Sequence, residues 1–144
     1  MKIEFVPFKA WHIYTIDERS ETKEVWIVRR NAKILEEHPA MTMTVDGVIK
    51  ACGGCVYLWP NTGEFWAVTS SDIKKYSKVF NQFVINLIDD VTRALNLTRL
   101  QATVIEDFKI GHRWVEYLGF HLEAKMPKYV EDKTYWLYSK IVEV

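Results

Sequence analysis

Residues 63–105 read GEFWAVTSSDIKKYSKVFNQFVINLIDDVTRALNLTRLQATVI. The opening GEFWAVTS is rich in aromatic and β-branched residues and predicts a strand. From Ile73 the period changes. Ile73, Tyr76, Phe80, Phe83, Val84, Leu87, Val91, Ala94 and Leu95 fall on one continuous stripe, while Lys74, Lys75, Lys78, Asn81, Asp89 and Arg93 face away. That is a long amphipathic helix. Ser71 or Asp72 stands where a side chain can cap its start, and Asn96 can end it. RLQATVIED then returns to strand character. Strand, long helix, strand predicts one parallel crossover, because parallel neighbours need a connection of this length.

Towards the N-terminus, AMTMTV and VIKACGGCVYLW flank Asp46-Gly47, a strong hairpin signal. Pro60–Gly63 is a turn, so residues 40–69 read as a three-stranded antiparallel meander. Gly53-Gly54 inside its middle strand predicts a bulge or a close backbone approach. Before the meander, residues 2–8 predict a strand, and Phe8, Trp11 and Ile16 one face of a short helix. Val25, Val28, Ala32 and Leu35 predict a helix over Thr22–Glu37, ended by His38-Pro39. Towards the C-terminus, FKIGHRWVEYLG predicts a short helix capped by Gly119. FHLEAKMPKYV and TYWLYSKIV then form a hairpin around Glu131-Asp132-Lys133. The whole is a single α+β domain over 1–144: a mixed, mostly antiparallel central sheet with helices on both faces.

Composition narrows the partners. Hydrophobic residues are 49% and aromatics 14% of the chain, enough for a core. The formal net charge is zero, which argues against a general nucleic-acid binder. No apolar run is long enough to cross a bilayer, and charges and a proline break the N-terminus, unlike a signal peptide. These features predict a cytoplasmic protein with no membrane partner. Monomer and homodimer both stay open. Cys52 and Cys55 have CxxC spacing, but their flanks read as strand, where a redox pair needs a helix N-terminus. A zinc site would need two further ligands. Small residues in a strand is the simpler reading, and no metal is expected.

The element order resembles the GNAT N-acetyltransferase family over nearly the whole chain. WVEYLGF at 114–120 is similar to the family's signature at the end of its last helix, FHLEAKMPKY…YWLYSK to its closing hairpin, and ACGGCVYLWPNTGEFWAVTSS to its third and fourth strands. A weaker similarity, through FWAVTSS and the lysine-rich helix start, is to GNAT-like proteins of short-tailed bacteriophages. The resemblance implies that the parallel β4/β5 pair splays and that acetyl-CoA wedges between the two strands. Its pantetheine would pair with the end of the fourth strand, at Val68 and Thr69. Its pyrophosphate would sit on the turn holding Lys74, Lys75, Tyr76, Ser77, Lys78 and Val79. The family's loop is glycine-rich, and this one has no glycine. Free N–H groups and a helix dipole do not strictly require one, and lysines add charge. The competing reading of the turn is a lysine-rich, solvated helix start.

Acetyl transfer needs a base for the amine and an acid for the leaving thiolate. The tyrosine that the family often uses as acid maps to Val115, and an asparagine common after the fifth strand maps to Phe108, which the resemblance still places against the cofactor. Tyr117 lies about 200° round the helix from Val115. Tyr129, Tyr135 and Tyr138 are substitutes, Tyr138 foremost. Candidate bases are Glu106, at the end of the fifth strand with Asp107, then Glu64, of the same strand parity as Val68, and His112. His12, His38 and His121 show no partner spacing. The expectation is an acetyl-CoA-dependent N-acyltransferase acting on a small-molecule or peptide amine. The alternative, motivated by the missing glycines, Val115 and Phe108, is a GNAT-shaped binding or structural protein without turnover.

Overall fold

The computed structural model of the chain describes residues 1–16 and 31–142. Its elements, in order, are β1 (Ile3–Pro7), α1 (His12–Thr15), α2 (Ala32–Leu35), β2 (Ala40–Val45), β3 (Val48–Trp59), β4 (Thr62–Thr69), a 3-10 turn (Ile73–Tyr76), α3 (Ser77–Ala94), β5 (Arg99–Ile105), α4 (Lys109–Tyr117), β6 (His121–Val130) and β7 (Lys133–Ile141). Seven strands are hydrogen-bonded in the order β1-β2-β3-β4-β5-β7-β6. The β4/β5 pair is parallel, from Thr62↔Arg99 to Glu64↔Gln101. The β5/β7 and β6/β7 pairs are antiparallel. This is the α+β class the sequence implies.

The chain forms two compact units, Met1–Val56 with Phe65–Val91, and Tyr57–Glu64 with Thr92–Val144. In the first, α1 and α2 cover one sheet face: Phe8, Ile13, Ile16, Ala32 and Leu35 pack with Cys52, Trp66 and Val68. On the other face α3 lies against β1, with Phe5 and Phe83 stacked at 4.5 Å. In the second unit α4 covers β5 and β7, burying His112, Val115, Ala102, Val104 and Tyr138.

Turns follow backbone chemistry. Asp46-Gly47 and Glu131-Asp132 both have positive φ, the mirror-image geometry that matches strand twist in two-residue hairpins. Asn96 ends α3 with φ +51. Gly119 ends α4 with φ +99, and the bonds Gly119 N–H to Glu116 O and Phe120 N–H to Val115 O close the helix.

Three expectations change. In α1 the buried residues are His12 and Ile13, while Trp11 is 60% exposed; the helix begins only at His12, so the phase drawn from Phe8 does not hold. Of the helix expected over Thr22–Glu37, residues 22–30, with Val25 and Val28, lie outside the described residues, and Ala32–Leu35 is helical. The long helix opens with a 3-10 turn, at which Asp72 makes no side-chain cap bond; its carboxylate is taken by other donors. The bulge between β2 and β3 falls at Lys50, whereas Gly53-Gly54 meets the other expectation, close approach. A Cβ on Gly54 would meet the Pro39 carbonyl oxygen and lie 2.6 Å from Ala40 Cβ.

Candidate functional site

In the first unit the turn after β4 is the place the sequence marks for phosphate. Val68 and Thr69 are buried at the strand end, and Lys74, Lys75, Ser77, Lys78 and Val79 are exposed. Tyr76 is half-buried, and Lys50 Nζ stands 6.0 Å from its ring centre. What holds the turn without glycine is a clasp. Met43 pairs with Ala51 and Thr44 with Ile49, leaving Lys50 as the extra residue of a bulge, a feature that re-aims a side chain. Lys50 Nζ donates to Asp72 Oδ2 at 2.9 Å, Ser70 Oγ donates to Asp72 Oδ1 at 2.7 Å, and Ser70 N–H donates to the Lys50 carbonyl at 2.8 Å. These bonds from Lys50 and Ser70 hold the Asp72 carboxyl below the usual carboxylate range. Asp72, the one acid in the turn, is thereby neutralised, and the three exposed lysines leave the turn positive. The arrangement fits a phosphate-bearing group. Sequence reasoning missed Lys50, Ser70 and Asp72 as its frame, and only the bulge, a register property, could have exposed Lys50.

The second unit holds two separate polar groups. On the α4 side, His112 Nε2 donates to the Glu106 carbonyl at 2.9 Å. A carbonyl only accepts, so in the neutral ring Nδ1 is left to accept from the Tyr138 hydroxyl, 2.7 Å away. Trp136 Nε1 donates to Glu106 Oε2 at 3.1 Å, and its ring lies 4.4 Å from the His112 ring. Tyr138 is 0% exposed, and burial first, then the Glu116 charge, raises its hydroxyl above the ordinary phenol range. Its hydroxyl is therefore enclosed and engaged. Val115 is buried and Tyr117 is 65% exposed, so the two do face apart. Phe108 precedes α4 and lies against its backbone, where a Cβ on Gly111 would come 2.5 Å from the ring.

On the opposite face, Gln101 Nε2 donates to Glu64 Oε1 at 2.9 Å, and Arg99 Nε donates to Gln101 Oε1 at 3.0 Å. Arg99 makes a two-pronged ion pair with Glu123, at 2.6 and 2.9 Å. Ser139 Oγ donates to the same carboxylate. Glu123 is held down to about 2, mainly by Arg99 and then by Ser139. Tyr129 lies within the field of Glu64, and its ring is 5.6 Å from that of Tyr135.

The structure thus divides the catalytic candidates. Glu106 belongs with His112 and Tyr138. Glu64 pairs with Gln101, about 16 Å back along β5 from Glu106 at ~3.3 Å per residue. Tyr138 pairs with Ala102, Gln101's neighbour, and successive residues point to opposite faces. Glu64 and Glu106 cannot serve one amine nitrogen together. Asp107 is exposed beside Glu106. His12 is a buried histidine with Nδ1 3.2 Å from the Lys9 N–H and 2.8 Å from Thr42 Oγ1. Cys52 and Cys55 are free and buried in β3, and burial pushes the Cys52 thiol up to about 11, which makes it inert rather than redox-active.

No protein-family profile matches the chain, and no curated protein matches it. Solved structures do. Ard1 from Thermoplasma volcanium is similar with a TM-score of 0.76 at 15% identity, covering 100% of each chain. The GNAT-family acetyltransferase from Bacillus anthracis is similar with 0.69 at 13% identity, covering 98% of this chain and 95% of that one. The yncA protein of Salmonella typhimurium, solved with its cofactor acetyl-CoA, gives 0.68 at 14% identity, covering 98% and 94%. At such identities the likeness establishes the fold: this chain has the fold of GNAT acetyltransferases.

Proposed function

We propose that the protein is an acetyl-CoA-dependent N-acyltransferase acting on a primary amine. The observation that carries the reading is the clasped, lysine-bearing turn at the end of β4 on a GNAT fold. Lys74, Lys75 and Lys78 would meet the phosphates, Ser77 would donate from its hydroxyl, and the β4 backbone at Val68 and Thr69 would hold the pantetheine arm. Tyr76 and Val79 would flank the turn. Acetyl-CoA supplies an acetyl group already activated as a thioester, so the new N–C bond replaces the C–S bond.

The chain's part is to bind, orient and take a proton. An amine attacks only when neutral, so a carboxylate must accept its proton. Each of Glu64 and Glu106 is held by one side-chain donor at one oxygen, and Glu64 suits this better because it is half-buried. Glu106 is exposed, with its carboxylate on Trp136 and its carbonyl on His112. Tyr138 acts through His112 to fix the end of β5; its enclosed hydroxyl is not placed to meet a thiolate.

Calorimetric titration with acetyl-CoA tests the reading. Saturable binding is expected. It should weaken about tenfold or more in the variant Lys74→Ala/Lys75→Ala/Lys78→Ala, since each charge-assisted contact contributes about 1.5–3 kcal/mol before solvent screening. Absence of binding to the folded protein would overturn it. A second reading, a GNAT-shaped protein without turnover, draws on the buried Val115 where the family often carries a tyrosine. Saturable binding with no thiol released across a panel of amines would favour that reading.

A further inference from the structure

We infer that α1 and α2 form a cap over β3 and β4 that opens when His12 takes up a proton. His12 stands at the start of α1, 6% exposed, and two groups close on its Nδ1. The Lys9 N–H donates to it at 3.2 Å, and the Thr42 hydroxyl lies 2.8 Å away. A backbone N–H can only donate, so Nδ1 accepts, and the ring is neutral with its proton on Nε2. Thr42 then donates to the same nitrogen. The His12 N–H in turn bonds to the Lys9 carbonyl at 2.9 Å, so a reciprocal pair closes the turn that opens α1. A proton on Nδ1 would set donor against donor. Thr42 can turn its hydroxyl over, because Cys52 Sγ lies 3.5 Å from its oxygen as a second partner. The Lys9 N–H cannot reverse, so the conflict falls on the first turn of α1.

What lies beneath the cap favours its opening. Trp66 of β4 packs edge-on against Phe8, ring centres 5.2 Å apart, in the core that Ile13 and Leu35 close. It is 8% exposed, and its indole Nε1 is the one buried side-chain polar atom without a partner among the described residues. An unmet buried donor weakens the closed form, and water meets it in the open one. The cap also has a hinge. It leaves the sheet after Phe8 and rejoins it at Ala40, where Phe8 N–H bonds to the Ala40 carbonyl at 3.2 Å. Its two helices are tied together, because Ala10 N–H bonds to Glu36 Oε2 at 2.6 Å. Among the described residues the charged groups acting on His12 are Glu36, beside α2, and Lys9. From β2 it meets Thr42, with Cys52 of β3 behind, a thiol pushed up to about 11 and so neutral throughout. Burial holds the imidazole below its ordinary range; the Glu36 charge opposes this and Lys9 adds to it. The open form therefore binds a proton first, at ~6.5. The closed form keeps its full advantage above that pH. Below it, the ratio of closed to open falls about tenfold per pH unit, until the closed form binds a proton too.

The test reads the exchange of indole N–H protons with water, by NMR of the nitrogen-labelled protein, from mildly alkaline to mildly acid pH. The Trp66 signal is the one lost in Trp66→Phe. The reference is His12→Asn, whose Oδ1 puts an acceptor that does not titrate in the place of Nδ1. Relative to it, Trp66 exchange in the parent should rise about tenfold per pH unit below ~6.5. The Trp136 indole, bonded to Glu106, should not follow. Glu36→Gln keeps an oxygen for the Ala10 N–H and removes the charge that favours the protonated ring, so there the rise should continue to lower pH before it levels. A parent-to-reference ratio that is flat with pH would overturn the cap. So would Trp136 exchanging in step with Trp66, which is global unfolding, or a levelling point unmoved in Glu36→Gln. Acetyl-CoA takes no part in this experiment, so its failure would leave the acyltransferase reading standing.

Discussion

The Tyr138 hydroxyl and the His112 imidazole satisfy one another where water does not reach. Tyr138→Phe would leave His112 Nδ1 a buried acceptor with its donor removed, and an unmet buried group costs about 1–3 kcal/mol. Urea unfolding should show that loss with an unchanged slope. Gly54 makes the complementary case for space. Its missing Cβ is what lets Pro39 and Ala40 approach, and Cys55 N–H bonds to the Pro39 carbonyl at 2.9 Å in the same place. Gly54→Ala should therefore destabilise by about 1–3 kcal/mol through overpacking, read in the same unfolding experiment. The need for small residues at 53–54 was legible from two glycines inside an apolar run. The partner of His112 was not, since a histidine's hydrogen bonds depend on which strand faces its helix.

At the scale of elements, the two charged clasps share one device. Lys50 is the extra residue of the bulge in β3, and Glu123 that of the bulge in β6, where Leu122 pairs with Tyr138 and Ala124 with Leu137. A regular strand fixes the face of every residue; a bulge releases one to turn elsewhere. Lys50 turns to Asp72, and Glu123 to Arg99 and Ser139. The Glu123 clasp makes a pH prediction. Its folded-state carboxyl is held at about 2, below the ~4.3 of an unpaired glutamate. The clasp thus stabilises the fold fully above that ordinary value, and its contribution is lost as pH falls from there towards 2. The gain is smaller than the whole shift implies, because the Glu123 side chain is 37% exposed and water screens the pair. Unfolding measured between neutral and acid pH should show a steeper acid loss in the parent protein than in Glu123→Gln. Equal slopes would mean that the clasp contributes nothing.

At the scale of the molecule, the thiols report on core integrity. Cys52 and Cys55 are buried, and the Cys52 thiol is pushed up to about 11. Both should resist a disulfide reagent at mildly alkaline pH and react at the rate of unfolding; fast labelling of either in the native protein would contradict the packing described here. By itself the sequence determined the class and order of elements. Its two periods, 2 in GEFWAVTS and 3.6 from Ile73, are local properties of strand and helix, and the Asp-Gly and Leu-Gly stops are local backbone preferences. It also determined the lysine-bearing turn, because those lysines are neighbours in the chain. Only the tertiary structure decided which donor each carboxylate meets, that Glu64 and Tyr138 occupy opposite faces, and that Lys50 and Glu123 leave their strands' regular pairing. Register causes that division: a shift of one residue between paired strands moves a side chain to the other face, and no local pattern encodes the partner's count.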